Sequence, residues 1–333
     1  MPKAKKVLVL GASGAMGRYI MPLLAEAGHE IDAVSLWGDP VTGPNVRDIR
    51  MDAMDRDALR KLLKNHYDGI VNFMIYNTAQ ISLFLPLLLD STEHHIFLSS
   101  YRVYDDKEVP IRETSPRIID ATDNVLLRDS DNYCIYKARG ENVLAASGKK
   151  NWTIVRPAIT YSLLRYQLVT LEGANTVGRA FAGKKTVLPV QAKEVAATMS
   201  WGGDVAAMIA KLLFNDRARG ETYTVSTAEH HTWGEIAEYY HDICGLEAVW
   251  VDKEDYLRII QPDPYTPANR WQLEYDRLFT RIMDNSKVLA ATGMKQSELM
   301  PLYDGLKREI ARCPRDYPFD VCERMDDYLA EKL

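Results

Sequence analysis

Tyr133 and Lys137 stand four residues apart in the stretch YCIYK, a spacing that on a helix puts both side chains on one face. A phenol ordinarily titrates at about pH 10 and is a poor acid–base group near neutrality. An ammonium beside it stabilises the phenolate and brings proton exchange toward the working range. Ser100 closes the apolar run HIFLSS, where a strand-end hydroxyl can hold a reacting oxygen. The three groups together suit proton transfer at a hydroxyl or ketone carbon. Each also has a plain structural alternative: a part-buried tyrosine, an exposed helix lysine and a turn-capping serine. Tyr136 is a rival phenol, but no lysine follows it four residues on.

A second group of residues precedes these. Gly11-Ala12-Ser13-Gly14-Ala15-Met16-Gly17 directly follows the apolar run Val7 to Leu10 and opens RYIMPLLAEAG, which has helical periodicity. In that context Gly11 permits a tight turn, Gly14 lets the backbone approach a pyrophosphate, and Gly17 lets the helix pack closely on the strand. Free N–H groups in the first helical turn, with the helix dipole, suit anionic phosphates. The alternative is a glycine turn without a ligand.

These groups need a scaffold. The run Val7 to Leu10 predicts a strand buried on both faces, and the helix after it ends at Gly28. Further strands are predicted at Ile31 to Leu36, Val46 to Met51, Ile70 to Ile75, Ile96 to Ser100 and Trp152 to Val155, with helices at Arg56 to Asn65, around Ile81 to Leu89, and at Asn132 to Ala146. Strands alternating with helices predict an α/β chain, a Rossmann-type doubly wound parallel sheet with ligands at the strand carboxyl ends. Asp105 to Asp131 reads as a long loop with one helical turn. Beyond about residue 160 the pattern is irregular, with helices near 204–214 and 233–244. The expected division is a dinucleotide-binding Rossmann domain over 1–165 and a smaller mixed α/β substrate domain over 166–333, some of whose segments return to the first.

Composition excludes other classes. Hydrophobic residues are 47% and charged residues 26% of the 333, with a net charge of −5 and no long basic run, which argues against a nucleic-acid partner. No segment reaches the roughly 18 apolar residues of a membrane span, so no membrane partner and a cytoplasmic location are expected. Cys134, Cys244, Cys313 and Cys322 have no metal-ligand spacing, so reduced thiols and no metal are expected.

The order of these motifs resembles the extended short-chain dehydrogenase/reductase superfamily, in its NAD-dependent epimerase/dehydratase group, over nearly the whole chain. The glycine spacing is the longer GxxGxxG form found there. MDAMDRDALRKLL is similar to the segment placing an Asp near the adenine, here Asp52; FLSSYRVY puts the catalytic hydroxyl on Ser100; Tyr133 and Lys137 match the catalytic pair, with Glu141 following; IVRPAITYS puts Arg156 and Pro157 beside the nicotinamide pocket. WGGDVAAMIAKLL and MDNSKVLAATGM match later segments through Asp204, Asp284 and Lys287. The resemblance implies Ser100, Tyr133 and Lys137 as catalytic residues. It implies cofactor contacts from Gly11, Ser13, Gly14, Ala15, Met16, Gly17, Ser35, Asp52, Ala53, Met74, Ser99, Tyr133, Lys137 and Pro157.

Several positions depart from that pattern. Where the second strand usually ends in an acid, this chain reads Val34-Ser35-Leu36-Trp37-Gly38, with Asp39 late, Asp32 inside the strand, and no Arg or Lys for a 2′-phosphate. NAD is expected, with NADP as the alternative. Tyr101-Arg102 replaces the Asp-Glu of the 4,6-dehydratases, which disfavours dehydration. Residues 116–132 form a longer segment before Tyr133, and the Asn-x-x-Gly-Thr helix start is missing around 76–83. The resemblance implies an epimerase acting on a nucleotide sugar through a transient ketone. A net ketoreductase or dehydrogenase is the second reading, and a non-catalytic dinucleotide-binding module the third. Trp201, Trp233, Trp250 and Trp271 are candidates for stacking on substrate or, more simply, core residues. Arg270 and Arg281 are candidates for a diphosphate or, more simply, exposed arginines. A homodimer through helices near 81–90 and 132–146 is implied.

Overall fold

In a computed structural model, which describes residues 4–261 and 267–332, the first hundred residues alternate strand and helix. They form β1 (Lys6–Leu10), α1 (Gly17–Glu26), β2 (Glu30–Ser35), β3 (Val46–Arg50), α2 (Arg56–Leu63), β4 (Tyr67–Asn72), α3 (Thr78–Asp90) and β5 (Thr92–Leu98). Then come the short helices α4 (Ile118–Ala121) and α5 (Val125–Asp129), the longer α6 (Tyr133–Ala146), β6 (Trp152–Val155) and β7 (Ile159–Tyr161). The main sheet has seven strands in the order Glu221–Tyr223, β6, β5, β4, β1, β2, β3, all paired in parallel. The order reverses between β1 and β4, which opens a crevice at their carboxyl ends.

Alternation along β1 assigns its side chains to two cores. Val7 and Val9 pack with Ile20 and Leu24 of α1 and with Val205 and Ile209 of the helix Gly202–Leu212. Leu8 and Leu10 face the other way, onto Leu59 and Leu63 of α2 and Leu85 and Leu88 of α3. A further cluster gathers Tyr161, Tyr166, Val187, Trp233, Tyr240, Leu257 and Leu306 with Tyr101, Val103 and Tyr104 from the loop after β5.

Local chemistry sets the helix starts. Asp55 caps α2 by accepting from the N–H groups of Asp57 and Ala58. Asn77 and Gln80 form a reciprocal capping box that starts α3, in place of the missing glycine-threonine start. The stretch Asp105 to Asp131 differs from the expected loop with one turn. It carries both α4 and α5, because Asn124 accepts from the N–H of Leu127 and because Ile118 and Leu127 are buried against Cys134 and Ile135 of α6.

His94 and His95 on β5 are both fully buried. The Nδ1 of His94 accepts from the Phe214 N–H at 2.8 Å, whereas the Nδ1 of His95 has no partner among the described residues. Burial pulls His94 down to about 4 and His95 to about 3. Below about pH 6.5 the unfolded chain therefore takes up protons that the folded one refuses, so stability falls as pH drops from 6.5 toward 4. Each histidine adds a slope of up to about 1.4 kcal/mol per pH unit. Urea midpoints should fall over that window, and less steeply in His95→Gln; equal slopes in the two proteins would exclude the histidine contribution.

Candidate active site

The crevice at the β1–β4 reversal is a cavity of about 530 Å³. Gly11 has φ +83°, and its N–H and that of Ala12 both donate to the Val34 carbonyl at 3.0 Å, which ties the loop to the end of β2. A Cβ on Gly14 would lie 3.2 Å from the Gly11 oxygen, and one on Gly17 would drive into the Ala12 carbonyl. No side chain caps the first turn of α1; the N–H groups of Arg18 and Tyr19 donate to the Gly14 and Met16 carbonyls, and those of Ala15, Met16 and Gly17, without a hydrogen bond among the described residues, are left for a ligand. Gly11, Ser13, Gly14, Ala15, Met16 and Gly17 all line the cavity. Ser13 Oγ donates to the Trp37 carbonyl at 3.0 Å.

Farther along, the same wall carries Ser35, Asp52, Ala53 and Met74. Ser35 is buried and its hydroxyl has no partner among the described residues, an orphan that a sugar hydroxyl of a bound cofactor would satisfy. Asp52 accepts from the Met54 N–H at 2.8 Å. Asp32 is engaged elsewhere: it accepts from Arg47 Nε at 2.7 Å and from the Tyr67 hydroxyl. The glycine loop, open helix terminus and orphan serine fit a dinucleotide.

At the far end, Ser99, Ser100, Tyr133 and Pro157 line the cavity. Ser100 Oγ accepts from the Arg102 N–H at 3.2 Å. Tyr133 is the first residue of α6, behind the cap Asn132. The Arg102 guanidinium lies 5.0 Å from the centre of its ring, and Lys137 Nζ 5.7 Å from the same point. Lys137 itself is placed behind the wall: it is 1% exposed, donates to the Leu98 carbonyl at 2.6 Å, and is not among the lining residues.

Two buried carboxylates brace this end. Glu141 accepts from Ser99 Oγ at 2.5 Å, from Arg156 at 2.8 and 2.7 Å, and from Arg117 at 3.1 Å. Arg156, expected beside the pocket, is drawn off the wall by that bidentate pair; Pro157 alone stays on it. Asp276 is wholly buried. It accepts from the Tyr101 hydroxyl at 3.0 Å and from Arg277, with Arg102 Nε and Arg281 Nε each 3.3 Å away.

The expected diphosphate arginines lie off the cavity. Arg281 is 1% exposed and donates to the Tyr104 and Asp105 carbonyls, so the simpler expectation of an exposed residue is also corrected. Arg270 pairs with Glu254 and Glu274. The arginines that do line the cavity are Arg102, Arg165 and Arg277. None of the four candidate tryptophans lines it. Trp233 is core, whereas the exposed Trp37 lies on the cavity wall. The sequence signals missed were Arg102, noted only for lacking a carboxylate, and Trp37, quoted only for what its strand end lacked.

Comparison with known proteins bears on the fold and on cofactor binding. Residues 11–216 match the model of a family described as NAD(P)H-binding. The 2′-dehydrokanamycin reductase of Streptomyces kanamyceticus is 26% identical over 250 residues, covering 72% of this chain and 67% of its own length. Among solved structures, the epimerase Mth375 of Methanothermobacter thermautotrophicus superposes with a TM-score of 0.72 at 14% identity, covering 93% of this chain and 92% of its own. The UDP-glucose 4-epimerase of Thermus thermophilus in complex with NAD gives 0.66 at 18%, over 92% and 98%. The Bordetella bronchiseptica enzyme WbmG in complex with NAD gives 0.68 at 18%, over 93% and 94%. At these identities the structural likeness is one of fold.

Burial pulls the Lys137 ammonium down to about 7, against an opposing pull from Glu141. Between that pH and the ordinary lysine value of about 10.4, the unfolded chain holds a proton that the folded one has released. Stability contributed by this site therefore rises with pH across the window. Lys137→Met should accordingly change the melting temperature more favourably at pH 6 than at pH 9, by several degrees at about 2–4 °C per kcal/mol. The same shift at both pH values in thermal melts of cofactor-free protein would remove the buried-charge cost.

Proposed function

The chain belongs to the NAD(P)H-binding family and is an NAD(P)-dependent enzyme with the extended short-chain dehydrogenase/reductase fold, and we propose that Tyr133 is the acid–base group for oxidation and reduction at a hydroxyl-bearing carbon. What supports the reading is the placement of the Tyr133 ring on the cavity wall with Ser100, with the cations of Arg102 and Lys137 5.0 and 5.7 Å from its centre. A bound nicotinamide supplies the hydride acceptor or donor.

The residues of the chain do the rest. The Tyr133 oxygen takes the proton from the substrate hydroxyl and later returns it. Ser100 Oγ already accepts from the Arg102 N–H, which leaves its own O–H to donate to the reacting oxygen. Positive charge near the phenol favours the anionic oxygen while the proton is in transit. Lys137, anchored on the Leu98 carbonyl, acts through Tyr133 and holds the α6 face against β5.

For the cofactor, the glycine loop takes the pyrophosphate and Ser35 with Asp52 takes the adenosine end. No cation stands among Ser35, Leu36, Trp37, Met51 and Asp52 on that wall, and a carboxylate there repels a 2′-phosphate. NAD is therefore the proposed form. Inversion of a sugar carbon in a nucleotide sugar is the leading reaction, through a transient ketone that is re-presented and reduced on its other face. The second reading, net reduction of a ketone, is favoured by the reductase relative from Streptomyces. The domain division proposed is cofactor binding by residues 1–165 and substrate selection mainly by 166–333.

Tyr133→Phe should lower kcat by about 10²–10⁴-fold while NAD affinity, read by titration, stays unchanged. Near-normal turnover would sink the acid–base role. In the wild type, an epimerase turns over with catalytic cofactor, whereas a reductase consumes one equivalent of NAD(P)H per product, followed by the loss of the reduced nicotinamide absorbance.

A further inference from the structure

The wall around Tyr133 carries more positive charge than the enzyme's own carboxylates neutralise. Arg102 and Arg277 converge on one oxygen of Asp276, the first with Nε 3.3 Å away and the second through a hydrogen bond. Arg277 donates again to the Tyr101 hydroxyl and, through Nε, to the Val169 carbonyl at 2.7 Å. The terminal nitrogens of Arg102 have no hydrogen bond among the described residues, and Arg102 and Arg277 both line the cavity. Arg165 lines it as well and makes no side-chain hydrogen bond there. The acids available are few: Asp276, shared with Arg281, and Glu172, which also takes the Gln167 amide.

Asp276 is shared by three guanidinium groups, two of them on the cavity wall and largely buried, and even with Glu172 nearby this leaves positive charge unmatched where an uncompensated ion is costly. A planar guanidinium with free tips is suited to a carboxylate or phosphate oxygen pair. Its position is informative too. The Arg102 guanidinium lies 5.0 Å from the centre of the Tyr133 ring, so an anion on its tips would sit at the same end of the cavity as the hydroxyl that meets Tyr133.

We infer that the Arg102–Asp276–Arg277 cradle binds an anionic group, a carboxylate or a phosphate, carried by the reacting part of the substrate itself. This rests on the reading of Tyr133 as the group that meets the reacting oxygen. It adds what the substrate must bear: the sugar or sugar-like ring is an acid or a phosphate ester.

The test is calorimetric titration of the full chain, loaded with NAD, at low ionic strength with D-glucuronate, D-glucose 6-phosphate and D-glucose. At least one charged sugar should bind tenfold or more tightly than glucose. Preference for glucuronate identifies a carboxylate source, and preference for the 6-phosphate a phosphate source. Arg102→Gln should erase the charge preference, Arg102→Lys should keep part of it, and NAD affinity should hold in both as the check on folding. Asp276 retains Arg277 and Arg281 in these variants, so the cluster is not stripped. Equal affinity for the three sugars, or a charge preference intact in Arg102→Gln, overturns the inference. Tyr133→Phe separates the two claims: it should keep the charge preference, and its turnover reports only on the acid–base reading.

Discussion

The site depends on how closely α1 approaches the end of β1. The Val34 carbonyl accepts from two successive N–H groups, those of Gly11 and Ala12, and so fixes where the chain leaves the sheet. Gly17 then sits so near the Ala12 carbonyl that no side chain fits between them. With the helix start pinned there, its uncapped first turn faces the crevice between β1 and β4. A bulky residue at either glycine would move the helix and close the space a pyrophosphate needs. The phosphate-facing end of the cleft takes its position from that junction.

The opposite wall is built on a different principle, buried charge. Glu141 gathers Ser99, Arg117 and Arg156, while Asp276 gathers Tyr101, Arg102, Arg277 and Arg281. Ser100 lies between Ser99 and Tyr101, so the two networks hold its backbone from both sides. Removing one member of such a network typically costs about 3–5 kcal/mol, because its partner is left charged and unpaired. The clusters therefore hold the Ser100 and Tyr101 segment of the cavity wall in one arrangement.

This division explains which features could be read from the sequence. The β1 strand, the helix that follows the glycine loop and α6 are local patterns, and the structure places them at Lys6–Leu10, Gly17–Glu26 and Tyr133–Ala146, within a residue or two of the periodicity. The doubly wound sheet follows from the alternation itself. The charge networks are not local: Asp276 is 175 residues from Tyr101, and no spacing rule joins them. Arg281 looked like surface because arginine usually is, yet it is buried between Asp276 and two carbonyls. Arg156 was placed near the pocket by the resemblance of IVRPAITYS, but the pull of Glu141 decided its direction. Lys137 was read as facing the ligand because helical spacing aligns it with Tyr133. Spacing fixes a face of the helix, and here that face packs against the Leu98 carbonyl.

The two cations beside Tyr133 are consequently not equivalent. Lys137 is buried, and that burial brings it to about 7, so near neutrality its charge is present only part of the time. A guanidinium keeps its proton throughout that range. Arg102 is therefore the constant positive charge at the ring, and its partner Asp276 is set back behind the wall rather than facing the cavity. For the acid–base role proposed for Tyr133, Arg102 is thus the cation whose charge favours a negative phenol oxygen whatever the protonation of Lys137.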